Sequence, residues 1–239
     1  MKRELSHRTL QGAKPRTLLS GALASFGGYL ALAVFAAQQQ FFVVDHEVER
    51  LMAIMRSELL RVPMEIVSTL GDDIGLIGLI AVGTMLLWRG SRRWAVALPI
   101  MMAGTGGLQW LAKWLADRPR PDLAPWGFPS GHVLSVVVFF GLMVYLVAIT
   151  CSQDRRWCLV AGVAGIGVVA LVAFSRLYLR KHWMSDLAGG FTVGAAYLLL
   201  AIWVVDVVLT RTSSPGGTNI VGPDEREAVL DRHARMRAL

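Results

Sequence analysis

Long apolar runs alternate with short polar breaks along the whole chain. Six runs, roughly residues 17–37, 66–88, 94–114, 132–150, 157–175 and 184–209, are long enough to span a bilayer as helices, which takes about 20 mostly apolar residues each. The pattern predicts an all-α integral membrane bundle of six transmembrane helices. A different pattern fills the gap after the first run. Val44, Val48, Leu51, Met55, Leu59 and Val62 recur at helical spacing, with Glu47, Glu49, Arg50, Arg56, Glu58 and Arg61 between them. This predicts one interfacial amphipathic helix over 44–62, started by Asp45 and ended by Pro63. It either shapes a lipid entrance or covers the bundle as a packing element.

Composition sharpens the picture. Of 239 residues, 54% are apolar and 17% charged, against about 25% charged in soluble domains. The net charge of +7 reads as a topology signal, because 15 of the 24 basic residues fall in the N-terminus, 89–93, 151–156 and the tail from 210. Basic loops mark the cytoplasmic side, so both termini are expected in the cytoplasm of a cell (inner) membrane protein. Nucleic acid is not an expected partner. Trp88, Trp94, Trp157 and Trp203 would line the inner interface, and Trp110, Trp114, Trp126 and Trp183 the outer one. The first run follows the basic start MKRELSHRTLQGAKPR and ends AVFAA, which resembles a signal peptide. It exceeds the usual apolar core of about 7–15 residues, so a retained helix is expected. The chain divides into a basic N-terminus (1–16), a membrane domain (17–209) and a cytoplasmic tail (210–239). The tail opens as a linker, and a short helix with Asp224 and Glu225 early and Arg235 and Arg237 late is expected to follow. Cys151 and Cys158 fit no metal spacing, and His233 reads as a surface residue.

Three polar stretches fall at helix ends that this topology brings to the outer face: Lys113–Pro121, Pro129–His132 and Ser175–Asp186. Lys113, Arg120 and Arg176 are three cations in need of an anion. Phosphate is the anion that an Arg fork fits best. Ser130 adds a hydroxyl donor, and Gly131 lets backbone N–H groups approach a ligand. His182 and Asp186 are four residues apart, which on a helix is one turn. The carboxylate then orients the imidazole as a nucleophile. His132 has no acid in its own stretch and suits a general acid. Arg118, Arg180 and Lys181 add charge that could grip a second phosphate or anchor the interface. Asp72 and Asp73 read as helix-start residues, with a catalytic role the lesser reading. Asp206 marks the inner end of the last span.

These residues resemble a known family. Lys113, Arg120 and Pro121 match KxxxxxxRP, Pro129–His132 match PSGH, and Ser175, Arg176, His182 and Asp186 match SRxxxxxHxxxD. The sequence is similar to the type 2 phosphatidic acid phosphatase superfamily, which includes vanadium haloperoxidases and glucose-6-phosphatase. The resemblance covers roughly residues 40–209. It implies that His182 attacks phosphorus, Asp186 orients it, and His132 protonates the leaving oxygen and then activates water. Lys113, Arg120, Ser130, Gly131 and Arg176 would bind the phosphate oxygens. It implies a metal-independent enzyme without cofactors whose substrate is a lipid phosphate. Candidates are undecaprenyl diphosphate, phosphatidylglycerol phosphate, phosphatidic acid and a lipid A phosphate. A phosphotransferase using the same intermediate is the second reading. A haloperoxidase or a non-catalytic lipid binder fits less well.

Overall fold

A computed structural model describes residues 15–150 and 155–208. The N-terminal segment, Cys151 and the tail with its expected helix lie outside the described residues. Among the described residues eight α-helices follow one another: α1 Pro15–Ala37, α2 Val43–Met55, α3 Glu58–Ser68, α4 Asp73–Gly90, α5 Arg92–Ala116, α6 Gly131–Thr150, α7 Arg155–Tyr178 and α8 Met184–Ile202. Six of them (α1 and α4–α8) are long and apolar enough to cross a membrane. The protein is an all-α, multi-pass membrane bundle.

Burial separates the helices by depth in the bundle. Half of the apolar stretch of α6 (50%) is buried inside the protein, against 6% for α4. Leu134, Val138 and Leu142 of α6 meet Leu98 of α5 and Val193 and Ile202 of α8 in one core cluster. α1 packs along α8. Outward faces stay apolar, as at Ile74, Ile77 and Met85 of α4, which suits a lipid solvent rather than water.

The segment between α1 and α4 departs from expectation. The periodicity predicts one helix over 44–62, but the chain breaks at Arg56 and Ser57, both extended. Ser57 starts the second helix by accepting from Leu60 N at 3.3 Å. Tyr178 at the end of α7 fills the break: its hydroxyl accepts from Ser57 N (2.7 Å) and lies 3.1 Å from Ser57 O. A tertiary partner thus satisfies backbone groups that a continuous helix would have paired internally. Pro63 lies inside α3 rather than ending it. Residues 66–71 complete α3 and a 3₁₀ turn, Thr69–Gly71, so the second span begins at Asp73.

One expected interface tryptophan is core. Trp94 is 2% exposed and packs edge-on against Tyr145, whereas Trp88 and Trp157 face outward. Near them Asp206 does more than mark a boundary. It accepts from Arg93 (3.1 Å) and Tyr145 (2.9 Å), tying α5, α6 and the π-helical turn Trp203–Val208 together.

Candidate active site

The three polar stretches meet at one end of the bundle, opposite Asp206. In the first, Lys113 occupies the last turn of α5, and Asp117 closes the helix in the left-handed region (φ 41°), its N–H donating to Lys113 O at 2.9 Å. Aspartate tolerates that conformation better than most residues. The reversal sends Arg118 inward, where it is 1% exposed. It donates to Ser185 Oγ (2.7 Å), Asp186 Oδ1 (3.1 Å), Asp45 Oδ2 (3.2 Å) and Gln40 O (3.0 Å). A buried guanidinium needs such partners, because desolvation otherwise dominates.

The second stretch is strapped to the third. Ser130 N donates to Asp186 O at 3.0 Å. Gly189 and Gly190 of α8 allow this, since a Cβ at either would overlap Phe128 or Ser130 O. Ser130 is fully buried and its Oγ has no hydrogen-bond partner. The Gln109 amide occupies the space that a side chain at Gly131 would need. His132 opens α6, and its Nε2 lies 2.6 Å from Asp72 Oδ1.

The third stretch contains a correction. His182 and Asp186 were expected one helical turn apart, but α8 begins at Met184 and His182 precedes it. Asp186 reaches back instead. Its Oδ2 accepts from Trp183 N at 2.9 Å, capping the helix, and stands 3.5 Å from His182 Nδ1. Arg118 holds the other oxygen. Arg176, in the last turn of α7, is 8% exposed and donates to Ser68 Oγ. Ser175 turns away and donates to Val172 O within its own helix.

Electrostatically these groups form one unit. Arg120 and Arg176 act on the Lys113 ammonium, and all three act on His182. Burial first, then Arg176, Arg120 and Lys113, holds the His182 imidazole well below its ordinary range, against a smaller opposing effect of the Gly127 backbone. His182 is therefore neutral near neutral pH. Three buried donors of this cluster lack a partner, Ser130 Oγ, Arg120 Nε and Arg176 Nε, while His182 Nδ1 is turned to Asp186 at 3.5 Å. Buried polar groups are normally satisfied, so the cluster is chemically prepared for an anion.

Residues 94–209 match the PAP2 superfamily. Those residues form a PAP2 superfamily domain. Among its relatives is phosphatidylglycerophosphatase B of Bacillus subtilis, 29% identical over 167 residues, covering 65% of this chain and 80% of that protein. Lipid phosphate phosphatase delta of Arabidopsis thaliana is 27% identical over 137 residues, 50% of this chain and 32% of the relative. Lipid A 1-phosphatase of Porphyromonas gingivalis is 28% identical over 131 residues, 54% of this chain and 27% of the relative. The chain thus spans less than a third of the length of those two relatives. Among solved structures, a transmembrane PAP2-type phosphatidylglycerolphosphate phosphatase from Bacillus subtilis shares the fold, with a TM-score of 0.67 at 22% identity, over 75% of this chain and 93% of that one.

The PAP2 match begins in α5 and leaves α1–α4 outside it. Yet the outside segment reaches the site at three points. Asp45 accepts from Arg118 and from Ser185 N and Oγ, both at 2.8 Å. Ser68 meets Arg176 and Asp72 meets His132. Asp45 does help to start α2, accepting from Phe42 N at 3.0 Å, but it is 1% exposed and mainly a partner of Arg118. A lone carboxylate in an amphipathic stretch was the available signal for Asp45, and adjacent carboxylates before an apolar run for Asp72. Neither signal names a partner. The extra cations are also spoken for: Arg180 pairs with Glu49 (2.8 Å) and Lys181 with Asp122 (2.9 Å).

Proposed function

We propose that this protein is a metal-independent lipid phosphate phosphatase that works through a phosphohistidine on His182. The observation that carries the reading is the set of partnerless buried donors on Ser130, Arg120 and Arg176, beside a histidine whose Nδ1 faces Asp186 at 3.5 Å. With Nδ1 turned to the carboxylate, Nε2 attacks phosphorus. Lys113, Arg120, Arg176, Ser130 and the Gly131 N–H stabilise the equatorial oxygens, where charge develops. His132 protonates the leaving lipid oxygen and then takes a proton from the water that releases phosphate.

The pairing of the outer cations favours a lipid phosphomonoester over a diphosphate. The cations expected to grip a second phosphate already have carboxylate partners: Arg118 has Asp45 and Asp186, Arg180 has Glu49 and Lys181 has Asp122. The names of the relatives point to phosphatidylglycerol phosphate, phosphatidic acid and lipid A phosphate as the first monoesters to try. The basic-residue bias supports termini in the cytoplasm and a site at the outer face of the cell (inner) membrane.

The test is phosphate release by purified protein in detergent, with EDTA present, from those monoesters and from undecaprenyl diphosphate. Turnover of a monoester, with an acid-labile, base-stable phosphoenzyme that maps to His182, is expected. Absence of phosphate release from every lipid, or a phosphoenzyme on Ser130, refutes the reading. A clear preference for the diphosphate refutes the monoester assignment alone.

A further inference from the structure

Asp72 stands at the N-cap of α4, where an aspartate side chain ordinarily accepts a hydrogen bond from its own helix. Here it makes no such bond. The carboxylate turns instead to His132, 60 residues away, with Oδ1 at 2.6 Å from Nε2. The backbone is shaped for that approach. Gly71 is pressed so closely on the His132 ring that a Cβ there would lie 2.8 Å from its Cδ2. The same turn supplies Ser68 to Arg176. The half-exposed side chain of Asp72 (50%) sits over a half-buried histidine.

The charged and titratable groups acting on His132 are Arg176 from α7, His182 from the loop before α8, and Asp72. Of these, only Asp72 can supply negative charge. A general acid must hold its proton until the P–O bond breaks, and a neighbouring guanidinium opposes that. We infer that Asp72 is the positioning residue for His132, fixing its ring and supplying the counter-charge of its imidazolium form.

This deepens the phosphatase reading and rests on it. As His182 attacks phosphorus, the bond to the lipid oxygen breaks and the proton on His132 passes to that oxygen, leaving His132 neutral. When water attacks the phosphohistidine, the P–N bond breaks and the water proton returns to His132. Asp72 faces an imidazolium before the first step and after the second, and itself exchanges no proton in either.

The experiment uses full-length Asp72→Asn and Asp72→Glu protein in detergent, each with and without His132→Ala. Two substrates are compared, phosphatidic acid and an aryl phosphate whose leaving group needs no proton. Asp72→Asn should lose about tenfold or more on phosphatidic acid, as part of the general-acid contribution of about 10²–10⁴, and far less on the aryl phosphate. The alkaline limb of its kcat/KM profile should move to lower pH. Asp72→Glu should recover part of both effects. Asp72→Asn should cost nothing further once His132 is alanine. NMR of histidine-labelled protein should show His132 titrating at lower pH in Asp72→Asn than in wild type. Equal losses on the two substrates, an unmoved limb, or additive losses with His132→Ala overturn the inference. Wild-type protein inactive on both substrates sinks the phosphatase reading instead, and an unchanged His132 titration then overturns the pairing itself.

Discussion

Arg118→Met tests the buried support beneath the site. Methionine keeps much of the length of the side chain and removes the charge. Arg118 is 1% exposed, and its two carboxylate partners, Asp45 and Asp186, are 1% and 0% exposed. The substitution deletes four hydrogen bonds of 2.7 to 3.2 Å and strands two buried carboxylates. Breaking a buried ion pair on one side costs about 3–5 kcal/mol. Arg50→Met is the reference, because the Arg50–Glu47 pair has side chains 68% and 56% exposed, and such pairs contribute about 0–1 kcal/mol. Unfolding in mixed dodecyl maltoside and SDS micelles, followed by tryptophan fluorescence, gives both values. The double variant Asp45→Asn/Arg118→Met removes one stranded charge. It should be more stable than the sum of the single changes by about 1–3 kcal/mol, as coupled neighbours are. Arg118→Met should also lower kcat, since Asp186 loses one of its two anchors. A cost for Arg118→Met within about 1 kcal/mol of Arg50→Met, or strict additivity in the double variant, would refute the reasoning.

Ser130→Ala should lose about 10²–10³ in kcat while still forming the His182 phosphoenzyme, because it removes one donor to the transition state. His182→Ala should abolish turnover, and rapid-quench labelling distinguishes the two. Stability should fall as pH drops below about 6.5, because unfolded His182 takes up a proton there that the buried folded residue refuses. His182→Gln should therefore flatten the pH dependence of unfolding between about pH 6.5 and 5, and an unchanged slope counts against a neutral buried His182. A cysteine placed between residues 122 and 126 should react with an impermeant thiol reagent on intact cells or spheroplasts; labelling only after lysis would reverse the orientation.

The sequence alone determined the spans and the end at which the motifs lie. Apolar length against bilayer thickness is a local, additive quantity, so six runs became six helices with boundaries shifted by up to seven residues. Short links between α5 and α6 and between α7 and α8 then force Lys113, Ser130, Arg176 and His182 to one end whatever the packing. What the sequence left open is whom each charge meets. Arg118 read as a spare phosphate ligand or an interface anchor and became the buried anchor of Asp186. Asp45 read as a helix cap and lies 140 residues from the Ser185 that it holds. His132 had no acid nearby in the chain and gained Asp72 across 60 residues. The periodicity of 44–62 suits one helix, but Ser57 caps a second one and Tyr178, 121 residues away, stabilises the break between them. Even the His182–Asp186 pair meets by a capping carboxylate reaching back, not by helical spacing. Periodicity reports which way a side chain faces relative to its own element. The partner of a buried charge is set by which elements pack together, and the desolvation cost of leaving it unpaired makes that choice decisive.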